Sequence, residues 1–228
     1  MNEQFAHMII AIDGPAGSGK STTARLVAKK LGFIYVDTGA MYRAVTLYWL
    51  EQGKPSIQEF ILNLPIITLG IHPETHEQQT FLNGIDVSGK IRSREVTENV
   101  SYISSLKPVR EKMVEMQRNI GNSQSVVMDG RDIGTAVFPN ADVKIFMIAD
   151  IQERAMRRLQ EMKIQSIMPL PSLADLMETI KQRDAFDSSR EIDPLKKADD
   201  AVLLDTSKLT IEDQATKIIE LVHTFNNQ

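Results

Sequence analysis

The chain contains no cysteine among its 228 residues. This absence excludes disulfide bonds, thiolate metal sites and a cysteine nucleophile, and it fits a reducing compartment. The four histidines show no spacing typical of metal ligands. An active site in this protein must therefore be built from other residue types.

The chain also lacks an excess of positive charge. Lys and Arg number 26 against 30 Asp and Glu, which leaves a formal net charge of -4. We therefore expect no general attraction to nucleic acid or to an anionic membrane, so any anion site must be formed locally. No basic region precedes the apolar run at 8–13, and this run is far too short to cross a bilayer. These absences predict a cytoplasmic protein that binds neither nucleic acid nor membrane.

Short apolar runs alternate with helical patterns along most of the chain. Five of these runs are too short for helices and predict strands, at 8–13, 33–37, 125–129, 142–149 and 201–205. A glycine-rich loop and a helix at 20–32 follow the first run. The clearest helix has its apolar face at Ile211 and beyond, after a cap formed by Thr210 and Asp213. The alternation predicts an α/β fold with a five-stranded parallel sheet flanked by helices.

Two stretches interrupt this alternation within what we interpret as one domain. The chain between the second and third predicted strands is too long for a simple crossover, and its middle shows short strands around an Asn83-Gly84 turn. We interpret 64–104 as a small α+β insertion. A second stretch, at 162–200, carries prolines, a helix capped by Ser172 and a polar segment with arginines, which is typical of a mobile lid. The core then comprises 8–63, 105–161 and 201–228.

The string GPAGSGKST occupies 14–22, between the first predicted strand and the first predicted helix. Gly14, Gly19, Lys20 and Ser21 match the phosphate-loop pattern, whose glycines let backbone N–H groups converge on phosphate oxygens at a helix N-terminus. Lys20 would reach the terminal phosphates of a nucleotide. The Ser21 hydroxyl would hold Mg²⁺, which keeps several waters and bridges substrate phosphates. The alternative is a plain glycine turn, which the flanking strand and helix disfavour.

A phosphate loop does not say what happens to the phosphate. A guanine-nucleotide switch would need an Asn-Lys-x-Asp segment and a transport ATPase a Ser-Gly-Gly signature, and the chain contains neither string. A small-molecule kinase needs basic residues that lie far from the loop in sequence and converge on a second anionic substrate. The candidates are Arg43, Arg110, Arg131, Arg183 and Arg190.

Two of these arginines follow predicted strands. Arg131 comes directly after the strand at 125–129, flanked by Asp129 and Asp132, and Arg43 lies one turn into a helix that follows the second strand. Open parallel sheets bind ligands at the carboxyl ends of their strands. Taken singly, each arginine could instead be a solvated surface charge or one member of an ion pair, and Asp132 could simply pair with Arg131.

The predicted lid carries the other charged cluster. Arg183 and Arg190 bracket Asp184 and Asp187 there, and these four residues could form an ordinary ion-paired helix end. In a kinase the two arginines would instead stabilise the charge of the phosphoryl group during its transfer.

Six strings of the chain together resemble the bacterial cytidylate kinase family. In chain order they are IDGPAGSGKST, YVDTGAMYRAVT, LNGIDVSGKIRSREV, MDGRDIGTAVFP, KIFMIAD and RDAFDSSREIDPL. Many families share the phosphate loop, whereas DGRDIGT followed by the RDxxDSxR lid pattern is specific. The resemblance implies a P-loop kinase core that phosphorylates CMP and dCMP with ATP and Mg²⁺. It also implies that the insertion at 64–104 is an enlarged monophosphate-binding region, and we expect the enzyme to be a monomer.

The resemblance also assigns roles to individual residues. The ATP phosphates would be bound by Gly14, Pro15, Ala16, Gly17, Ser18, Gly19, Lys20, Ser21 and Thr22, with Ser21 as the metal ligand. The monophosphate pocket would be lined by Thr38, Tyr42 and Arg43. The cytosine edge would meet Ser101, Arg110 and Asp132, the sugar hydroxyls Arg183 and Asp187, and the phosphates Arg131 and Arg190. Asp129 would complete the substrate-binding set, and the catalytic residues would be Lys20, Arg131, Arg183 and Arg190.

Two alternatives remain open at the level of sequence. The same core could phosphorylate another small acceptor, such as UMP or a non-nucleotide hydroxy acid. The chain could also be a non-catalytic nucleotide-binding module that kept the loop, although the distant arginines argue against this.

Overall fold

A computed structural model describes residues 7–72, 74, 78–164 and 168–226. Residues 1–6, 73, 75–77, 165–167 and 227–228 lie outside the described part, and with them short pieces of the predicted insertion, lid and core. The chain forms two compact units: the first contains the described residues up to Tyr35 and those from Gly121 onward, and the second runs from Val36 to Ile120. The domain boundaries given above stay a prediction.

The described residues contain eight strands and eight α-helices. The strands are β1 (Ile9–Asp13), β2 (Ile34–Asp37), β3 (Ile67–Ile71), β4 (Gln78–Leu82), β5 (Ile85–Asp86), β6 (Val126–Gly130), β7 (Val143–Ile148) and β8 (Val202–Asp205). The helices are α1 (Lys20–Leu31), α2 (Thr38–Glu51), α3 (Ile57–Leu62), α4 (Arg94–Ser105), α5 (Lys107–Ser123), α6 (Ile151–Ile164), α7 (Leu173–Ser189) and α8 (Ile211–Asn226).

The first unit is built on a five-stranded sheet with the strand order β2-β6-β1-β7-β8. The central strand β1 pairs in parallel with β6 and β7, and β7 pairs in parallel with β8. Every residue of β6 is buried, which explains its continuous apolar run, because a strand covered on both faces has no polar side. All five predicted strands are confirmed, as is the α/β fold class.

The core of the first unit joins the sheet to α1 and α8. Ile10 and Ile12 of β1 pack with Val27 of α1 and with Ile218 and Val222 of α8, all of them almost fully buried. This is the apolar stripe that the helical periodicity of the last segment predicts. The packing anchors α1, and therefore the loop that precedes it, to the central strand.

Side-chain caps begin the two helices for which the sequence predicts them. The Ser172 hydroxyl of α7 accepts from Asp175 N at 3.1 Å, and the Asp175 carboxylate accepts from Ser172 N in return. Thr210 and Asp213 form the same reciprocal pair before α8. Each pair satisfies N–H groups that have no partner inside the helix.

The second unit contains a three-stranded antiparallel sheet in the order β3-β4-β5. Asn83 and Gly84 join β4 to β5 with φ values of 48° and 83°, the positive values that a two-residue hairpin turn of this type requires. The Asn83 side chain also accepts from Ile66 N at 2.9 Å. The predicted turn at Asn83-Gly84 is therefore confirmed. The helix α4 follows in the same unit and is capped by the Ser93 hydroxyl.

Across the described ranges, no helix has the length and apolar character needed to cross a membrane.

Candidate active site

The loop between β1 and α1 depends on three glycines. Gly14, Gly17 and Gly19 have φ values of 145°, 74° and 94°, which side-chain-bearing residues rarely adopt. A Cβ atom on Gly14 would collide with the carbonyl oxygen of Met147 in β7. The loop therefore leaves β1 along a path that only glycine permits, and α1 begins after Gly19 without a side-chain cap. Its first N–H groups are left to face a ligand.

Lys20 folds back across this loop. Its Nζ donates to Pro15 O at 2.7 Å and to the Ser18 hydroxyl at 3.3 Å, and only 5% of the residue is exposed. Burial is the largest cause that lowers the pKa of Lys20 to about 7; the positive charge of Arg131 acts in the same direction, and the negative charge of Asp129 acts against both. A buried ammonium beside other cations is stabilised when an anion enters the loop.

Ser21 and Asp129 bring oxygen atoms together at the start of α1. The Ser21 hydroxyl donates to Asp129 Oδ2 at 2.7 Å, and the Tyr35 hydroxyl donates to Asp129 Oδ1 at 2.7 Å. The described residues hold no cluster of three or more His, Asp or Glu side chains suited to a metal. A hydroxyl and a single carboxylate fit Mg²⁺, which takes oxygen ligands and fills the rest of its shell with water and substrate phosphates.

Two arginines of α6 hold the outer side of the loop, and the sequence patterns miss both. Arg154 donates to Ala16 O at 3.1 Å, and Arg157 donates to Ser18 O at 3.2 Å. These two bonds fix the carbonyls of Ala16 and Ser18 to α6. The sequence RAMRR at 154–158 contains a pattern that could have indicated these two arginines, because an i,i+3 spacing places Arg154 and Arg157 on one face of a helix.

Asp184 of α7 reaches the same loop. Its carboxylate accepts from Ala16 N at 3.1 Å and forms an ion pair with Arg154. Asp184 therefore does not form the local ion-paired helix end that was one alternative for the lid segment, and it connects α7 to the phosphate loop instead.

Arg131 stands directly after β6, as predicted, and pairs with a side chain of α7. Its Nε donates to Asp187 Oδ2 at 3.1 Å, so its carboxylate partner is on α7 and not the neighbouring Asp132. Burial lowers the pKa of Arg183 to about 10, the charge of Arg131 acts in the same direction, and Asp187 raises it. Arg158 of α6 contributes to the same cationic cluster and was also missed.

Arg190 caps the C-terminal end of α7 in a buried position. Its Nη2 lies 3.8 Å from Asp132 Oδ1 and donates to the carbonyl oxygen of Asp193. The Arg190 and Asp132 side chains are only 4% and 6% exposed. The first unit thus brings most of its predicted site residues together at the carboxyl ends of β1 and β6: the described contacts connect Lys20, Ser21, Asp129, Arg131, Asp132, Arg183, Asp187 and Arg190.

In the second unit, Tyr42 and Arg110 lie together. Thr38 is the buried first residue of α2, and Tyr42 follows one turn later. The Arg110 guanidinium, in a residue only 1% exposed, lies 5.6 Å from the centre of the Tyr42 ring and donates to Ser104 O at 3.3 Å. A buried cation above an aromatic face is a favourable arrangement.

Arg43 and Ser101 belong to the packing of α2 and α4 in the second unit. Arg43 Nη1 donates to the Thr97 hydroxyl at 2.9 Å, which joins the two helices. Ser101 lies half-buried on α4, and its carbonyl oxygen accepts from the Ser104 hydroxyl at 3.1 Å.

The chemistry available in the first unit is charge stabilisation. Backbone N–H groups at a helix N-terminus, one lysine and several buried arginines surround the loop, and no activated nucleophile is needed for them to act. Such an arrangement suits phosphoryl transfer, in which positioning and electrostatic stabilisation supply most of the catalysis.

Comparisons with known proteins agree with this chemistry. The family model for cytidylate kinase matches residues 10–224. Cytidylate kinases from Chlorobaculum tepidum and Lactobacillus johnsonii are 49% and 50% identical, over 97% and 94% of this chain and 95% and 94% of their own lengths. Among solved structures, a gluconokinase from Sinorhizobium meliloti shares the fold, with a TM-score of 0.51 at 12% identity, covering 98% of this chain and 97% of its own.

Proposed function

The chain belongs to the cytidylate kinase family, and from this premise we propose how its own residues carry out the family reaction. The enzyme transfers a phosphoryl group from ATP to CMP or dCMP, giving ADP and CDP or dCDP. The observation that carries the mechanism is the buried Lys20 in its glycine loop, with the charges of Arg131 and Arg183 acting on it.

On the donor side, residues 14–22 bind the phosphates of ATP. Loop N–H groups other than that of Ala16, which Asp184 binds, contact phosphate oxygens together with the α1 N-terminus. The Lys20 ammonium contacts oxygens of the phosphoryl group that is transferred. Ser21 and Asp129 would hold Mg²⁺, which neutralises charge on the phosphates when bound. The contact between these two side chains at 2.7 Å supports this assignment.

On the acceptor side, arginines neutralise the second phosphate. Arg131 and Arg190 contact the phosphates, and Arg183 with Asp187 meets the sugar hydroxyls. The transferred group carries negative charge on three oxygens, so buried guanidiniums stabilise its transition state. In the second unit the monophosphate pocket consists of Thr38, Tyr42 and Arg43, and Ser101 and Arg110 are assigned to cytosine recognition. In the first unit the same role is assigned to Asp132.

Three broader assignments belong to the same proposal. Residues 162–200 act as a lid that excludes water from the phosphates, and 64–104 form the monophosphate-binding region. The enzyme works as a monomer in the cytoplasm, and it binds neither nucleic acid nor membrane. The acidic overall charge and the absence of cysteine support this setting.

A coupled assay with ATP and each of CMP, dCMP, UMP and AMP tests the function. We expect turnover with CMP and dCMP, and we expect Lys20→Ala to abolish it while the fold is retained, because Lys20 serves the phosphates. Lys29→Ala changes an exposed lysine of the same helix and should behave as wild type. Near-normal turnover by Lys20→Ala would refute the phosphate-loop mechanism, and preference for another acceptor would refute the substrate assignment.

A further inference from the structure

Asp13 is a buried carboxylate at the edge of the site with no role in the phosphate-loop pattern. It ends the central strand β1 directly before Gly14, and 5% of the residue is exposed. Its Oδ1 accepts from Ile133 N at 2.8 Å, and its Oδ2 accepts from Gly134 N at 2.7 Å. Because a buried charge is costly unless it is hydrogen-bonded, these two bonds are what the position requires. Both oxygens serve one short segment that follows β6.

That segment is a single π-helical turn, Ile133–Val137. The first N–H groups of a helical turn have no partner inside it, and the residue just before the turn normally supplies a cap. Asp132 occupies that place, yet its side chain makes no capping bond and lies 3.8 Å from Arg190. Asp13 therefore caps the turn from another strand, and the Asp132 carboxylate is directed elsewhere.

The cap joins two parts of the catalytic site. Asp13 and Gly130 are register partners, so β1 and β6 end at the same level. Beyond that level β1 continues into the phosphate loop, and β6 continues into Arg131 and Asp132. The turn is also confined from behind, because a Cβ atom on Gly134 would lie 3.2 Å from the Lys144 side chain and 3.5 Å from Asp13 Oδ2.

We propose that Asp13 is a positioning residue for phosphoryl transfer, whose carboxylate sets the placement of Arg131 and Asp132 relative to the phosphate loop. This inference rests on the proposed function. It gives Asp13 no contact with either substrate. Its effect is geometric: the two bonds fix the direction in which the chain leaves β6, and a displacement of about 1 Å between reacting groups can cost about 100-fold in rate.

Asp13→Asn is the direct test, because it keeps the size of the side chain and replaces one acceptor with an NH₂ group that faces an N–H donor. At pH 8 we expect kcat to fall by about 100-fold. We also expect the KM for CMP to rise and the preference for CMP over UMP to narrow, since Asp132 moves with the turn. ATP affinity, measured by titration without acceptor, should remain nearly unchanged because the glycines still shape the loop.

Asp142→Asn is the matched control. The Asp142 carboxylate accepts from Ile9 N at 2.7 Å at the opposite end of the same strand, so its loss weakens β1 far from the site. If the role of Asp13 were only structural, Asp13→Asn would lower the stability of the protein, and its kcat, KM and base preference would equal those of Asp142→Asn. Equal kinetic behaviour of the two variants would overturn the proposal.

Amide hydrogen exchange gives a readout that does not depend on turnover. The amides of Ile133 and Gly134 should lose protection in Asp13→Asn, while those of β6 keep theirs; retained protection at both would refute the cap. If Asp13→Asn does not fold, Asp13→Glu keeps the carboxylate but displaces its oxygens by one methylene at a buried position, and it should give the same kinetic pattern. Wild-type kinetics in Asp13→Glu would refute the proposal. A wild-type protein without CMP kinase activity would instead refute the proposed function and leave the exchange data to decide on the cap.

Discussion

Arg131 Nε donates to Asp187 Oδ2 at 3.1 Å, which connects the end of β6 to the last turn of α7. Asp187 is almost fully buried, and its charge also acts on Arg183. One carboxylate therefore compensates two guanidiniums that repel each other. This compensation is one of the contacts that connect α7 to the sheet, together with the bond of Asp184 to the phosphate loop.

We expect Asp187→Asn to lower the free energy of unfolding by about 3 kcal/mol, because it removes the carboxylate that pairs with Arg131 and leaves Asp184 as the remaining negative charge that acts on Arg183. Urea titration measures the loss. Glu178→Gln, an exposed change on the same helix, should stay within about 0.5 kcal/mol of wild type. Equal stabilities of the two variants would show that Asp187 does not carry the pairing.

Arg190→Ala should affect turnover far more than ATP affinity, because the lid arginines act mainly on charge that develops in the transition state. Steady-state kinetics should show kcat lowered by about 1,000-fold. Lys181→Ala removes an exposed cation from the same helix and should leave kcat unchanged. Weaker substrate binding with normal kcat in Arg190→Ala would contradict a lid role.

Asp132→Ala should narrow the preference for CMP over UMP. Cytosine offers an amine donor where uracil has an acceptor, so a carboxylate favours the first base and repels the second. The difference in activation free energy between the two substrates, calculated from the ratio of their kcat/KM values, should shrink by about 1–3 kcal/mol. Steady-state assays with CMP and with UMP measure this ratio. Asp199→Ala, on an exposed surface, serves as the control. A CMP-to-UMP ratio that does not change would remove Asp132 from base recognition.

Lys20→Met should retain or increase the stability of the protein at low salt, since it removes a buried cation that is repelled by Arg131 and Arg183. ATP should raise the Tm of the wild type and raise that of the variant much less. Lys144→Met offers the contrast, because this buried lysine pairs with Asp200 at 2.6 Å and donates to Pro139 O. Its loss should cost about 1–2 kcal/mol in thermal or urea unfolding. Equal losses in both variants would contradict the electrostatic argument.

Asp13 should make stability fall as the pH rises. Burial raises the pKa of Asp13 to about 7 and the charge of Asp132 acts in the same direction, whereas the amides of Gly134 and Ile133 and the charge of Lys20 lower it. Between about pH 4 and pH 7 the folded chain holds a proton that the unfolded chain has lost. Stability therefore declines through this window.

The difference in unfolding free energy between wild type and Asp13→Asn isolates this contribution. Urea titrations at pH 4.5, 6 and 8 should show the wild type losing stability relative to the variant as the pH rises. A difference that stays constant over this range would mean that the carboxyl group of Asp13 does not titrate there.

Local patterns predicted the parts of the fold that depend on local physics. The inner strands β1, β6 and β7 are continuous apolar runs because they are buried on both faces, whereas the edge strand β8 keeps its apolar run although Val202 and Leu203 are exposed. Asn83-Gly84 marks a hairpin because such residues accept its positive backbone angles. Lys20 and Ser21 could be found for the same reason, since the phosphate loop is contiguous in sequence.

The missed features depend on which segments fold side by side. Arg154 could be seen as a helical arginine, but its contact with Ala16 requires that α6 pack against the loop. Asp13 could be seen as the end of a strand, but its two bonds reach a turn 120 and 121 residues away. The π-helical turn itself has no periodic pattern to predict it. Ion-pair partners could not be predicted for the same reason. Arg131 pairs with Asp187, which is distant in sequence, and not with its neighbour Asp132.

The backbone of Ala16 is bound by two side chains that also bind each other. Asp184 accepts from the Ala16 N–H, Arg154 donates to the Ala16 carbonyl, and the two side chains form an ion pair. Replacing either residue alone removes one of these backbone bonds and the charge partner of the other residue, so a change at one position should alter which changes are tolerated at the other. In a mutational library selected for growth, substitutions at Arg154 should therefore be recovered mainly in clones that also carry a substitution at Asp184.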